Sequence, residues 1–176
     1  MKTHNYKIIL IMLVLCCTSW VQAAEAFVAG RLLLNAARKS TAVRKSAGTV
    51  FNSKAMAKAS KSWFKRHGVA GQVPKEVLKK LKLKKFKNFD AFRKAFWREV
   101  SRHPKLVKRF NAFNSKNVSR MKKGLAPFVP LNQRVGKLKQ FTLHHKKRIA
   151  DGGSVYDLSN LLIASPRYHK FVHTGK

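Results

Sequence analysis

Four of the seven histidines in the chain lie in one stretch near its C-terminal end. His144 and His145 are adjacent, whereas His169 and His173 are one helical turn apart. Side chains four residues apart share a face of a helix, while adjacent side chains of a strand point to opposite sides. The spacing therefore predicts a site at which two imidazoles from a helix meet one imidazole from a strand.

The residues around these histidines predict the order strand, turn, strand and helix. Gln140–Leu143 is expected to lead into the histidine pair as a strand, and the Asp-Gly-Gly sequence at 151–153 is a strong turn signal. Leu158–Ala164 is expected to form the returning strand. Ser165 is a suitable cap for the helix that follows, with Pro166 at its first position.

Three neutral imidazole nitrogens with open coordination positions are typical of a catalytic metal site. The open side accepts a phosphate oxygen, and a bound ion then polarises the phosphorus for attack. The remaining histidine of the pair is free to activate water, because imidazole is a suitable general base near neutral pH. Imidazole ligands favour one divalent ion such as zinc, nickel or cobalt, and an open site also admits magnesium or manganese.

Two less favoured interpretations of the histidines are a set of solvated surface side chains and a structural zinc site. The first does not account for an asparagine, Asn160, and a Gly-Gly turn in the same short span. The second lacks a cysteine ligand, because the chain has no cysteine beyond Cys17.

The charge of the chain indicates an anionic partner. It has 39 Lys and Arg against 6 Asp and Glu, a formal net charge of +33. A single domain this basic repels itself, so the charge needs a reason outside the fold. Nucleic acid, an anionic membrane and an acidic protein all qualify. Because the cations run through the whole chain and not one tail, a long polyanion is favoured.

Residues 1–23 have the organisation of a cleaved signal peptide. Lys2 and Lys7 give a positive start, Ile8–Cys17 is an unbroken apolar run, and Val21–Ala23 offers a cleavage site. The apolar run is too short to span a bilayer, and no later stretch of the sequence is long and apolar enough for a transmembrane helix. We therefore expect a secreted or periplasmic bacterial protein.

Two alternatives to a cleaved signal peptide are an uncleaved membrane anchor and lipid attachment at Cys16 or Cys17. The lipoprotein alternative is disfavoured because Leu15 stands where a small residue is wanted.

Residues 24–71 are expected to form a basic leader rich in Ala, Ser and Lys, ahead of a domain at 72–176. Apolar residues at 27–28 and 32–34 suggest a short amphipathic helix that fades into a weakly structured arm. The leader is interpreted as solvated and partly disordered, with a nucleic-acid-binding arm and a membrane-surface helix as the alternatives.

The first part of the domain is expected to be helical. One helix is predicted to begin at Pro74, and a second to be capped by Asn88 and to end before Pro104. Residues 104–140 are interpreted as a basic, loop-rich stretch. The helical spacing predicts core positions at Val77, Leu78, Leu81, Phe89, Phe92, Phe96 and Val100.

The segments Phe141–Asn160 and Ser165–His173 resemble the HNH, or ββα-metal, motif of colicin- and pyocin-type bacterial DNases. Phe86–Ser101 and Pro127–Gly136 are similar to the segments that this family carries before its motif. The likeness covers about residues 72–176. It implies an α+β fold in which a helical N-terminal part packs on a C-terminal ββα-metal finger.

The resemblance also implies a role for each histidine and for the asparagine of the motif. His144, His169 and His173 would ligate the metal, and His145 would be the general base. Asn160 would hold the loop between the strands and help to orient His145. The family hydrolyses DNA with little sequence preference and attracts a small acidic immunity protein, which the charge of this chain would suit; phosphate contacts alone leave RNA open as a substrate.

Two positions depart from the family pattern. Thr142 stands where the family usually has Glu, and Leu138 where it has Arg. Lys137, Lys139 or Arg134 is expected to supply the missing positive charge. The full set of cations expected to contact nucleic acid is Arg134, Lys137, Lys139, Lys146, Lys147, Arg148 and Arg167.

The sequence therefore predicts a secreted or periplasmic, metal-dependent, nonspecific endonuclease. The two departures leave a second hypothesis, a secreted basic nucleic-acid-binding protein with weak or no catalysis. A third hypothesis is membrane disruption by residues 27–62.

Overall fold

The computed structural model describes residues 25–39, 41–53, 64–65 and 67–175. The predicted signal peptide at 1–23 lies outside the described residues. The chain divides into two units, residues 1–41 and 42–176. The described residues 25–39 are helical and are called α1, and residues 41–45 are helical as well. Among the residues that the structure describes, no helix is long and apolar enough to cross a membrane.

The described part of the second unit combines helices with short antiparallel strands, so the fold is α+β. The strands are β1 (Gly48–Thr49), β2 (Phe64–Lys65), β3 (Gly68–Gln72), β4 (Lys85–Phe86), β5 (Thr142–His145) and β6 (Leu161–Ala164). The helices are α2 (Lys75–Leu81), α3 (Phe89–Val100), α4 (Pro104–Asn111), α5 (Asn117–Lys122) and α6 (Pro166–Thr174). Described strands form one sheet in the order β2-β3-β6-β5, and β1 pairs with β4.

Helix α3 supplies much of the core. Its cap is confirmed, because the Asn88 side chain accepts a hydrogen bond of 2.8 Å from the Ala91 N–H. The helix ends at Val100, before Pro104 as predicted. Burying one phenylalanine side chain stabilises the folded state by about 2 kcal/mol of transfer free energy. The predicted stripe at Phe89, Phe92, Phe96 and Val100 is buried, as are Val77 and Leu81 of α2.

The interpretation of residues 104–140 as loop-rich is wrong in its first half, where α4 and α5 lie. Pro104 occupies the first turn of α4, where a missing N–H costs nothing, so it both follows one helix and starts the next. The buried side chain of Asn117, the first residue of α5, donates to the Phe110 and Phe128 carbonyls and accepts from the Phe128 N–H of the segment after α5. These bonds order a segment that has little regular structure of its own.

The C-terminal strands differ from the prediction at their ends. The first strand contains the histidine pair itself, because β5 runs over Thr142–His145. The returning strand β6 begins only at Leu161, since Leu158–Asn160 forms a 3-10 turn. The turn is stabilised by Asp157, whose side chain accepts a 2.9 Å hydrogen bond from the Ser159 N–H.

The second unit also includes paired residues upstream of 72. Val50 is fully buried and exchanges backbone hydrogen bonds with residues 83 and 84. Phe51 bridges to Asp157, with its carbonyl accepting from the Leu158 N–H at 2.9 Å. Strand β3 lies between β2 and β6, so the expected domain boundary at 72 falls on the last residue of a sheet strand.

Candidate metal centre and active site

Strand β5 places His144 and His145 on opposite sides of the sheet, as the alternation of a strand requires. His144 pairs in register with Leu162, and His145 with Leu161. The His144 ring lies 4.9 Å from the His169 ring and 5.2 Å from the His173 ring, between centroids. The adjacent pair is therefore divided between two environments.

Helix α6 supplies the other two imidazoles of this group. The rings of His169 and His173, one turn apart, have centroids separated by 4.5 Å. One nitrogen from each of the three histidines lies within 4.8 Å of the others. His144 is buried, His169 half-buried and His173 exposed. The three-histidine group is therefore buried at His144 and open to solvent at His173.

The three side chains fit a divalent transition-metal ion. Burial, together with the neighbouring His169 and His173, lowers the pKa of His144 to about 4. Burial also lowers the pKa of His169, and His173 and Arg44 lower it further. Neutral imidazoles offer lone pairs, and three nitrogen donors leave room for a further oxygen ligand. In the described residues this is the one group of three or more His, Cys, Asp or Glu suited to an ion.

Buried hydrogen bonds fix the start of α6 against strand β3. Ser165 caps the helix by accepting from the Tyr168 N–H at 3.2 Å. Its hydroxyl donates to Gln133 Oε1 at 2.9 Å, and the same oxygen accepts from the Val69 N–H at 2.9 Å. Ser165 is fully buried and Gln133 is nearly so. The position of His169, one turn into the helix, therefore depends on this network.

On the other side of β5, His145 is held in one tautomer. Its Nε2 lies 3.1 Å from the Val155 carbonyl oxygen, which only accepts, so Nε2 carries the hydrogen. The buried Nδ1 has no hydrogen-bond partner among the residues that the structure describes. The ring packs 5.2 Å from that of Phe89. His145 thus presents a bare nitrogen that is able to accept a proton.

The His145 environment favours the neutral imidazole. Burial lowers the pKa of His145, the bond to the Val155 carbonyl opposes this, and the positive charge of Arg44 lowers it again. A neutral ring at physiological pH is the form that a general base requires.

Asn160 ties together the two ends of the loop between β5 and β6. Its side-chain oxygen accepts from the Lys147 N–H at 2.8 Å, and its amide donates to the carbonyls of Lys147 and Ser154 at 3.1 Å each. Ser154 precedes Val155, which holds His145. The Gly-Gly turn is also explained, because a Cβ at Gly153 would clash with the Lys147 carbonyl.

Arg44, expected to lie in a solvated leader, is exposed. Its positive charge lowers the pKa of both His145 and His169, as a smaller cause than the burial of each ring. The segment that carries Arg44 is held in place, since the Tyr156 hydroxyl donates to the Ser46 carbonyl at 2.9 Å. No local sequence signal distinguishes Arg44 from the other cations around it.

The family described as Colicin/Pyocin-S2, DNase domain matches residues 48–174. The chain belongs to this family. Colicin E8 of Escherichia coli is 45% identical over 104 residues, which are 59% of this chain and 49% of that protein. Colicin E2 of Escherichia coli is 44% identical over 104 residues, 59% of this chain and 17% of that protein. Pyocin S2 of Pseudomonas aeruginosa is 38% identical over 108 residues, 61% of this chain and 15% of that protein.

This member of the colicin/pyocin DNase family therefore spans at most about half the length of these relatives. Two solved structures share its fold. The mutant nuclease domain of pyocin S8, solved with its cognate immunity protein, has a TM-score of 0.60 and 30% identity and covers 70% of this chain and 97% of its own. The pyocin AP41 DNase–immunity complex has a TM-score of 0.61 and 26% identity, covering 74% and 94%.

The departures from the family pattern lie in different settings. Leu138 is 61% exposed in a turn where it pairs with Val135. Thr142 is half-buried and pairs with Ala164. Of the cations expected to replace the family's arginine, Arg134 is half-buried and its Nε is buried without a partner in the described residues. The remaining predicted cations, all exposed, are Lys137, Lys139, Lys146, Lys147, Arg148 and Arg167.

Proposed function

We propose that this protein is a metal-dependent endonuclease of the HNH type that hydrolyses DNA without sequence preference. The observation that carries the proposal is the division of four histidines by one strand. Three imidazoles converge on one side, and His145 presents a bare nitrogen on the other. Membership of a DNase-domain family supports this reaction over other uses of a three-histidine site.

His144, His169 and His173 would hold the divalent ion, which when bound polarises the scissile phosphate as a Lewis acid. His145 Nδ1 accepts a proton from water while the water oxygen forms a bond to phosphorus and the opposite P–O ester bond breaks. The proton then returns, through solvent, to the departing oxygen. Asn160 holds the loop that carries the Val155 carbonyl, and that carbonyl keeps Nε2 protonated and Nδ1 free.

Arg44 is the cation that we assign to the scissile phosphate. Its positive charge lowers the pKa of both His145 and His169, in addition to the lowering by the burial of each ring. A guanidinium matches two phosphate oxygens at once and stays charged at any physiological pH. It would supply the charge that the family's arginine provides at the position of Leu138.

The exposed cations around the site would bind the DNA backbone, which gives affinity without base recognition. The neighbouring pyocin structures contain immunity proteins. By analogy, a small acidic immunity-type protein is proposed as the partner that protects the producing cell, consistent with a net charge of +33. Export through a cleaved signal peptide at residues 1–23 completes the proposal of a bacteriocin-like toxin.

The test is plasmid nicking by the purified protein with EDTA and with zinc, nickel, cobalt, magnesium or manganese in turn. We expect metal-dependent nicking that is lost in His145→Ala, while a gel shift shows that DNA still binds. His103→Ala is the matched control, since His103 pairs with Glu99 outside the cluster. DNA binding without nicking in any metal would favour the alternative of a binding protein disabled at Thr142 and Leu138.

A further inference from the structure

Helix α1 has two chemically different sides. Arg31, Asn35 and Arg38 recur at spacings of four and three residues, so they share one side of the helix, and Lys39 lies next to them. The opposite side is centred on Leu33, with Leu32 and Leu34 at its two edges, and Glu25 at the start of the described helix is its one charged residue. The small residues on that side are Ala26, Ala29, Gly30, Ala36 and Ala37.

The large apolar side chains of α1 are exposed. Phe27, Val28, Leu32, Leu33 and Leu34 have exposed fractions between 56% and 66%. Single exposed leucines are ordinary on soluble proteins, whereas a contiguous group indicates an interaction surface. Phe27 and Val28 lie on the Arg31 side, where the Arg31 guanidinium is 5.7 Å from the centroid of the Phe27 ring. The apolar side is therefore formed by the three consecutive leucines at 32–34, and it calls for a partner that accepts hydrocarbon.

We propose that α1 binds the surface of an anionic membrane. The helix would lie in the plane of the interface, with the Leu33 side in the acyl boundary and the Arg31 side towards the headgroups. The charge is complementary, because the sequence from 25 to 45 contains Glu25 as its single acid. Against that acid α1 itself carries three cations, Arg31, Arg38 and Lys39.

A nucleic-acid-binding arm explains less of what is observed. Phosphate contacts use cations and polar groups, and they give no role to exposed Phe and Leu side chains. In the sequence α1 also lies outside the family match at residues 48–174, so the proposal does not depend on the proposed catalysis.

The experiment is co-sedimentation of the purified protein with vesicles of phosphatidylcholine, with and without phosphatidylglycerol. The variant replaces Leu32, Leu33 and Leu34 together by Gln, which keeps the charge and nearly the same helix propensity. We expect this triple variant to bind anionic vesicles about tenfold more weakly or worse than the wild type, because three side chains no longer enter the acyl boundary. Measurement at physiological salt limits the contribution of the basic domain itself.

The matched control is Leu83→Gln, which makes the same change at a leucine that is 74% exposed in the second unit. It should change vesicle binding by less than about twofold. Equal vesicle binding by the triple variant and the wild type would overturn the proposal. So would a loss of DNA affinity in the triple variant with vesicle binding intact, which would make α1 a nucleic-acid arm. A loss of self-association alone would instead identify a second copy of the chain as the occupant.

Discussion

The two sides of strand β5 place a histidine side chain in two different environments. On one side His144 joins His169 and His173 in a group that opens to solvent. On the other side His145 lies against Phe89 and the Val155 carbonyl, with one nitrogen bare. A one-residue step along a strand is therefore enough to separate the proposed ligand position from the proposed proton-accepting position.

The two sides are also held by different parts of the fold. We call the side of β5 with the three-histidine group the open side, and the side with His145 the closed side. The open side depends on the orientation of α6, whose first turn is fixed by Ser165 and Gln133. The closed side depends on the loop before β6, which Asn160 and Asp157 brace. Metal affinity and proton transfer should therefore respond to different substitutions, and this separation is open to direct tests.

The largest effect is expected from removing a member of the open side. His169→Ala leaves two of the three nitrogens, so zinc affinity should fall by more than about 100-fold, beyond the loss typical of an outer-shell partner. Competition titration with a zinc chelator measures the change, and plasmid nicking should disappear with it. His103→Ala should leave zinc affinity unaltered. If His169→Ala bound zinc like the wild type, the open side would not be the metal site.

His145→Ala is the reciprocal change on the closed side. The nicking rate should fall by about 10² to 10⁴ because no proton acceptor remains. Zinc affinity should stay within about threefold of the wild type, because the three ligand positions are untouched. A parallel loss of zinc affinity would show that the two sides are one functional unit and not two.

The separation of the two sides was predictable from the sequence because it rests on local periodicity. The alternation of a strand and the turn of a helix fix how His144, His145, His169 and His173 point, whatever surrounds them. The buried stripe of α3 followed from the same kind of pattern, whereas the α+β class was implied by the family resemblance. The cap at Asn88 was also local, since its bond reaches only to Ala91.

The features that the sequence did not predict depend on contacts between distant residues, or on the fact that a proline can either end one helix or begin the next. Pro104 was taken as a stop, although the same fixed φ angle suits the start of α4. Arg44 could not be selected from a leader full of cations, because the segment that carries it is held by a tertiary contact, the hydrogen bond from the Tyr156 hydroxyl to the Ser46 carbonyl across more than a hundred residues. The role of Gln133 is similarly tertiary, since its partners are Ser165 and Val69.

Gln133→Leu tests the support of the open side without touching a histidine. The buried Val69 N–H and the Ser165 hydroxyl lose an acceptor, so α6 should be held less firmly. We expect zinc affinity to fall by about tenfold and the cobalt-bound absorption spectrum to change, whereas a purely structural role would lower stability alone. Gln140→Leu, the same change at an exposed position, is the control. Unchanged zinc affinity and cobalt spectrum would remove Gln133 from the support of the site.

Asp157→Asn makes the smallest change, on the support of the closed side. Asp157 is buried and accepts hydrogen bonds from the backbone N–H and hydroxyl groups of both Ser53 and Ser159. Burial alone would raise its pKa, but these bonds outweigh burial and lower the pKa of the carboxyl below its ordinary value. We therefore expect the variant to lose about 1–2 kcal/mol of unfolding free energy near neutral pH, with a rate change of only a few fold.

The loss of unfolding free energy in Asp157→Asn is expected to depend on pH. A carboxyl whose pKa is lowered on folding contributes stability above its unfolded pKa, and the contribution disappears as the pH falls through the folded pKa. The difference in urea stability between the wild type and Asp157→Asn should therefore be full near pH 7 and shrink below about pH 4. Asp151→Asn, at an exposed carboxyl paired with Arg148, should show little difference at either pH. A gap between wild type and Asp157→Asn that persisted unchanged into acid would mean that the shape of residue 157, and not its charge, braces the loop behind His145.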